Sequence, residues 1–422
     1  MKLKNLFLRI KSNAFFRNVA TLASGTIISQ LVVIGVSPLL SRIYSVEAFG
    51  FLALFTSYMV ISAVVSTGRY ELAMGIPEKD EDSRKIFQLI FFFGFSISLF
   101  YLFIIIVAKE VFHLQDKLEI LKHWWIYLAP LYIFFIALYS GLGYWLQRKK
   151  NYKRITISNA LQVILAALFS VLFGILKIES GLILSLIFAI IIATCFLLTD
   201  YLKENQIFSF SEVKEQGLKY ISFPKHMIVS DLSLTVGQQL TPILFSFLFN
   251  TTVVGFFSMA NRMLRLPNIV ITSSIGNVFR NDAIDEIRKT GNCKVLYEST
   301  FKKLMAMSLP IYFLIFLVAP FMFKFLFGPI WLEAGYYARI IALFLFIEFM
   351  ATPLNTLFYV KEKQKLLMRL QFLNAVFGGL AIYFGAIFFE SARMSLVFYS
   401  ANAVVFNLIM LFFSYKIASN KL

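Results

Sequence analysis

The stretch GLILSLIFAIIIATCFLLT (181–199) decides the fold, because it runs nineteen residues without a charged side chain. As a helix rising 1.5 Å per residue it is about 28 Å long, close to the ~30 Å hydrocarbon core of a bilayer. One such run could be a buried core helix. Outward from it, however, similar runs recur along the whole chain. Twelve segments read as spans: 18–40, 49–74, 86–108, 124–147, 155–176, 180–199, 222–248, 252–279, 304–326, 334–357, 367–388 and 394–415. Of the 422 residues 59% are hydrophobic and 15% charged, against roughly 45–50% and 25% in soluble domains. That apolar surplus has to face lipid, so the expected fold is an all-α polytopic membrane protein of about twelve spans.

The net charge of +17 would suggest nucleic acid in a soluble protein. Here the cations sit in short segments between apolar runs, where they set topology and attract anionic headgroups; nucleic acid is not an expected partner. Of the 40 lysines and arginines, 29 fall in the alternate segments that include the N-terminus, 7 in the opposite set and 4 inside spans, counting a cation at a helix end with its loop. This asymmetry places both termini in the cytoplasm. A basic start (Lys2, Lys4, Arg9, Lys11, Arg17) precedes a first apolar stretch too long for a signal-peptide core, read as an uncleaved span. The outside loops are all short, which leaves no room for an extracytoplasmic catalytic domain.

Enzyme and metal signatures are missing. Cys195 lies in an apolar run and Cys293 in a basic loop, so no disulfide framework is implied. His113, His123 and His226 have no metal-ligand spacing, and there is no phosphate-binding glycine loop or serine nucleophile elbow. Neither a cofactor nor a catalytic residue is expected.

The largest cytoplasmic gaps, 200–221 and 280–303, suggest two blocks of six spans, 1–205 and 206–422. AFGFLALF (48–55) follows the first span of one block and VVGFFSMA (253–260) the first span of the other, aligning Gly50 with Gly255. Transporters built from such repeats hold substrate between the halves.

Four stretches carry a family resemblance: LASGTIISQL (22–31) running on to LLSRIYSVEAFGFLALF (39–55); TGRYELAMGIPEKDEDSRKI (67–86); YISFPKHMIVSDLS through QQLTPILFSFLF to VGFFSMANRMLRLPNIV (220–270); and FGPIWLEAGYYARI (327–340). The sequence resembles the Wzx-type O-antigen flippases, oligosaccharide flippases of the polysaccharide-export group, in the superfamily that also holds the multidrug (MATE-type) antiporters. The resemblance implies two six-helix lobes around a cavity in the bacterial cytoplasmic (inner) membrane. It also implies movement of an undecaprenyl-pyrophosphate-linked oligosaccharide to the periplasmic leaflet for surface polysaccharide biosynthesis. A polysaccharide polymerase and a chain-length regulator are the implied partners beside membrane lipids, and the energy source stays open among protons, sodium and the downstream sugar gradient alone. Peptidoglycan-precursor flippases of the superfamily usually have two further spans, absent here. Antiporter relatives usually have a more acidic cavity.

A charged side chain at a helix centre costs roughly 2.5–3.5 kcal/mol on insertion scales and marks a partner or a job. In span eight Asn261, Arg265, Asn268 and Thr272 follow helical spacing, with Ser258 and Arg262 beside them. An arginine fork suits a diphosphate, so Arg262 and Arg265 are candidate substrate contacts with Asn261 and Asn268; the competing reading is structural pairing with an acid. In span seven Asp231, Thr235 and Gln238 share a face, with Lys225 and His226 at the cytoplasmic mouth. Asp231 is expected to serve as counter-ion of Arg262, proton carrier or part of a sodium site; Gln238 and Lys225 are expected at the substrate. In span two Ser62, Ser66 and Arg69 line one face. Arg69 either holds headgroup phosphate or pairs with Glu71. In span ten Glu348, Thr352 and Asn355 share a face; Glu348 is a coupling candidate or a salt-bridge partner.

Three other functions compete. A membrane polymerase or glycosyltransferase usually needs a long outside loop or an acidic metal motif. A cation-coupled antiporter of organic cations sits poorly with cationic spans. A passive scaffold leaves the charges inside spans unexplained.

Overall fold

The computed structural model describes residues 14–116, 118–203, 209–265 and 268–421, with side chains from residue 28 onward apart from 116, 269 and 270. Lys2, Lys4, Arg9 and Lys11 lie outside the described residues. Every expected span falls on a helix, and no strand occurs among the described residues. In chain order the helices are α1 (Ala14–Ile43), α2 (Val46–Ser66), α3 (Asp80–Ile106), α4 (Ala129–Arg148), α5 (Tyr152–Ile175), α6 (Gly181–Tyr201), α7 (Phe210–Lys219) and α8 (Ser222–Leu248). They continue with α9 (Thr251–Leu264), α10 (Ser273–Thr290), α11 (Lys294–Phe327), α12 (Leu332–Leu354), α13 (Leu357–Val360), α14 (Gln364–Phe389) and α15 (Ala392–Ala418).

Among the described residues nine helices are long and apolar enough to cross a membrane, and Ile28–Ile43 adds a shorter apolar stretch. The protein is a multi-pass membrane protein. Two expected spans fall short of that measure, α8 and the α9–α10 pair, and both carry the polar stripes singled out in the sequence. Span eight is not one helix. It breaks after Leu264, resumes as a π-helical turn at Asn268–Thr272, and continues as α10 well past the expected end at 279. Span two ends at Ser66, earlier than expected, and hands over to a 3-10 turn at Tyr70–Gly75.

Two compact units emerge, one of residues 1–44 and 55–236, the other of residues 45–54 and 237–422. In unit 1 the core gathers Tyr70, Met74, Ile86, Phe87, Ile90, Leu142, Trp145 and Tyr201. Fully burying side chains of this size is worth about 1.5–3 kcal/mol each, and here it pins the turn after α2 onto α3, α4 and α6.

Unit 2 contains a helix crossing with local two-fold symmetry. A Cβ on Gly50 would fall 2.0 Å from the Thr251 carbonyl oxygen, and one on Gly255 would fall 2.2 Å from that of Val46. Val46 stands to Thr251 as Gly50 stands to Gly255, so each helix presents the same small-residue step to the other. The caps repeat the relation. The Ser45 hydroxyl accepts from the Ala48 N–H at 3.2 Å, and the Asn250 side chain accepts from that of Val253 at 2.9 Å. Thr252 donates to Glu47 at 3.4 Å, placing an acid where the first turns of two helices meet.

Candidate functional site

In each unit one constellation gathers charged side chains that the sequence singles out as candidates. In unit 1 Gly68 and Arg69 both take φ 59°, a left-handed step that ends α2. Ser62 and Ser66 therefore do not share a helical face with Arg69. Their hydroxyls donate back to the Tyr58 and Ala63 carbonyls at 2.8 and 3.0 Å. The turn that follows is held from three sides. Tyr70 donates its hydroxyl to the Gly217 carbonyl at 3.1 Å. Ser83 donates to the Met74 carbonyl at 2.7 Å. Arg148 reaches Asp80 at 2.8 Å and the carbonyls of Pro77, Glu78 and Met74 at 2.7, 3.1 and 3.2 Å.

Arg69 is thereby fixed between two acids. Its Nη1 lies 3.2 Å from Glu71 Oε1 and its Nε 2.8 Å from Asp231 Oδ2. Glu71 is 1% exposed, and its other oxygen, Oε2, makes no hydrogen bond. Asp231 therefore pairs with Arg69 and is not the counter-ion of Arg262. The constellation of unit 1 carries two carboxylates on one guanidinium.

In unit 2 the ratio is reversed. Asn250 caps the start of α9, and the helix ends at Leu264. Arg265 follows immediately, its Nε donating to Asn261 Oδ1 at 2.9 Å and its Nη1 lying 2.8 Å from Glu348 Oε1 of α12. Glu348 is thus the salt-bridge partner that the sequence allowed for. Arg262, three residues earlier, is exposed and has no ion pair among the described residues. Arg262 thus adds an unpaired guanidinium to α9 one turn before the Arg265–Glu348 pair.

Below the break, Asn268 is buried and accepts from the Tyr312 hydroxyl at 2.5 Å. Its amide nitrogen has no partner. Thr272 donates to the Asn268 carbonyl. The expected face of Asn261, Arg265, Asn268 and Thr272 is therefore split: the first two sit together with Glu348, and the last two form a separate turn. Thr352 donates to the Glu348 carbonyl at 2.8 Å and Asn355 contacts Met410. Gln238 and Lys225 are exposed on α8.

Arg339 has a structural explanation. Pro320 in α11 has no N–H, which leaves the Phe316 carbonyl without its helical donor. Arg339 fills that place, donating to Phe316 at 2.8 Å and to Leu317 at 3.2 Å.

A family model described as "Polysaccharide biosynthesis protein" matches residues 39–336. The chain belongs to this family. Among curated proteins none matches the sequence. Among solved structures the chain is similar to "Lipid II flippase MurJ, inward closed conformation", with TM-score 0.68, 16% identity, and coverage of 95% of this chain and 90% of that one. It is equally similar to an inward-facing multidrug resistance MATE family transporter of the MOP superfamily, with TM-score 0.68, 14% identity and 94% of each chain covered. A Vibrio cholerae MATE transporter follows at TM-score 0.59 and 11% identity, over 96% of each chain. At these identities the likeness establishes the fold, which is the two-lobed, all-α fold that the resemblance implied.

For this member of the polysaccharide biosynthesis family, sequence reading missed two features. Arg148 was counted as a loop cation, although it organises the turn that carries Arg69. The π turn at Asn268–Thr272 had only one signal, Pro267 in mid-span.

Proposed function

We propose that this protein flips an undecaprenyl-pyrophosphate-linked oligosaccharide from the cytoplasmic to the periplasmic leaflet of a bacterial inner membrane, for O-antigen-like surface polysaccharide. Transport of a lipid-linked sugar, not catalysis, is its activity. The observation that carries this reading is the charge of the unit 2 constellation. Arg265 is neutralised by Glu348, while Arg262, one turn earlier on α9, is exposed and has no ion pair among the described residues, which leaves its positive charge uncompensated. A diphosphate is a dense anion that a guanidinium fork contacts in bidentate fashion. Arg262 is the direct contact, and Arg265, Asn261, Asn268 and Gln238 complete the site. The polymerase and chain-length regulator of the same pathway are the partners.

Charge-assisted contacts are worth roughly 1.5–3 kcal/mol, and 1.4 kcal/mol is tenfold. Arg262→Ala should therefore weaken headgroup binding by about ten- to a hundredfold and abolish surface glycan with protein abundance unchanged. Arg262→Lys should restore part of the export, keeping charge without the fork. Normal glycan in the alanine variant would overturn the anion site.

A second reading has one observation in its favour. The unit 1 constellation, Glu71 and Asp231 on Arg69, is net negative and suits a cation. A cation-coupled antiporter of organic cations would use it as the substrate site; in the flippase it is the coupling site for a proton or sodium ion.

A further inference from the structure

Helix α7 has no role in the function proposed above, and its surface is divided in an unusual way. Val213, Gln216 and Gly217, with Tyr220 just beyond the end, form a buried side. Gly217 rests on α3, where a Cβ would come 3.2 Å from Leu89. Glu212 is tied to Lys85 of α3 at 2.6 Å. Leu89 is the tenth residue of α3, about 14 Å along the helix at 1.5 Å per residue, so α7 lies against the side of a spanning helix and not beyond its tip. α8 starts at Ser222, two residues after Tyr220, which ties the other end of α7 to the membrane as well.

At 100° per residue a second stripe runs beside the buried one: Phe210, Lys214, Leu218 and, in the following turn, Ile221. Phe210 is 68% exposed, Leu218 62% and Ile221 40%. A third stripe, Ser211, Glu215 and Lys219, is polar and exposed. The apolar arc thus continues past the part that protein covers, and only then gives way to the polar arc. A helix lying in the interface plane has this division, with apolar side chains at the acyl boundary and lysines among headgroups.

We propose that α7 is an in-plane anchor for the cytoplasmic leaflet: Phe210, Leu218 and Ile221 enter the headgroup–acyl boundary, and Lys214 and Lys219 bind anionic phospholipid headgroups. The occupant is lipid because both ends of the helix are tied to spanning helices at that depth. The exposed charges Lys214 and Lys219 outnumber the single acid Glu215, since Glu212 is engaged by Lys85. Each basic residue near an anionic surface adds to the attraction.

The test uses the full-length chain in nanodiscs, with Cys195 and Cys293 replaced by serine. An environment-sensitive fluorophore is attached through Leu218→Cys, or through Glu215→Cys on the polar stripe. The Leu218 probe should be blue-shifted, quenched by phospholipid brominated in its acyl chains, and several-fold less quenched by aqueous iodide than the Glu215 probe. Its shift should grow when phosphatidylglycerol is added to phosphatidylcholine, and Lys214→Glu with Lys219→Glu should remove that growth. Phe210→Cys gives an independent reading should Leu218→Cys fail to fold. Equal iodide quenching at both positions would overturn the anchor. A Leu218 probe shielded from iodide and from brominated lipid alike would mean that protein covers the stripe, and a shift indifferent to phosphatidylglycerol would overturn the headgroup assignment.

Discussion

Unit 1 and unit 2 each place arginine against acid, with opposite balance. In unit 1 Arg69 is shared by Glu71 and Asp231, leaving a surplus negative charge. In unit 2 Glu348 faces Arg265, and Arg262, one turn earlier on α9, carries a positive charge with no ion pair among the described residues. The helix crossing at Gly50 and Gly255 shows how closely the start of α9 repeats the start of α2. The repeat has kept its backbone steps and caps while its charges diverged. The transport proposed above, of an anion against a cation, would use two sites of opposite sign, and a repeated architecture supplies two places to put them.

The largest effect is expected at the most buried charge. Arg69→Ala removes the one cation paired with Glu71 among the described residues, and Glu71 is 1% exposed. Stranding a buried charge costs about 3–5 kcal/mol, so the amount of folded protein extracted from membranes should fall sharply. Adding Glu71→Gln should restore most of it, because the stranded charge is gone. If Arg69→Ala accumulates normally and loses only export, Arg69 acts on substrate and unit 1 is not the acidic site.

A smaller effect is expected at Arg265 and Glu348, whose side chains are 36% and 23% exposed. Solvent screens such a pair, so each single alanine should cost roughly 1–2 kcal/mol. The double variant should cost less than the two singles together. Thermal shift of purified protein in detergent reads this coupling, and strict additivity would mean that the pair contributes nothing. The same measurement on Arg262→Ala should show almost no change, because that side chain has no partner to lose.

Much of the fold was legible because a membrane span is written in composition. Nineteen uncharged residues at 181–199 admit little else, and α6 occupies that place. What was harder to read follows from the same physics. α8 and the α9–α10 pair are the least apolar spans because of the polar side chains they carry, and the partners of Asp231 and Arg265 lie on other elements, which no window average contains. Asp231 lies 162 residues from Arg69 in the chain, so no helical spacing could have paired them. The left-handed step at Arg69 was equally hidden, although TGRYE (67–71) does place a glycine where α2 stops. Pairing of Arg265 with Glu348 stood among the readings of the sequence as a salt bridge to a basic helix, but the partner was not named.

The smallest structural effect and the finest distinction belong to Asp231→Asn. Asp231 is 29% exposed, and Arg69 keeps Glu71 when it is neutralised. A partly exposed pair of this kind contributes about 0–1 kcal/mol, so abundance and thermal stability should stay near those of the parent. The formal charge of the Arg69, Glu71 and Asp231 constellation, however, falls from one negative to zero. If the surplus charge is what binds the coupling cation, export driven by an imposed proton or sodium gradient in proteoliposomes should lose its dependence on that gradient. Export down a gradient of the lipid-linked sugar itself should continue. Glu348→Gln in unit 2 is the matched control: it makes that site more positive and should leave gradient dependence in place. Unchanged gradient dependence in Asp231→Asn, with loss in Glu348→Gln, would move the coupling site to unit 2 and reverse the assignment of the two constellations.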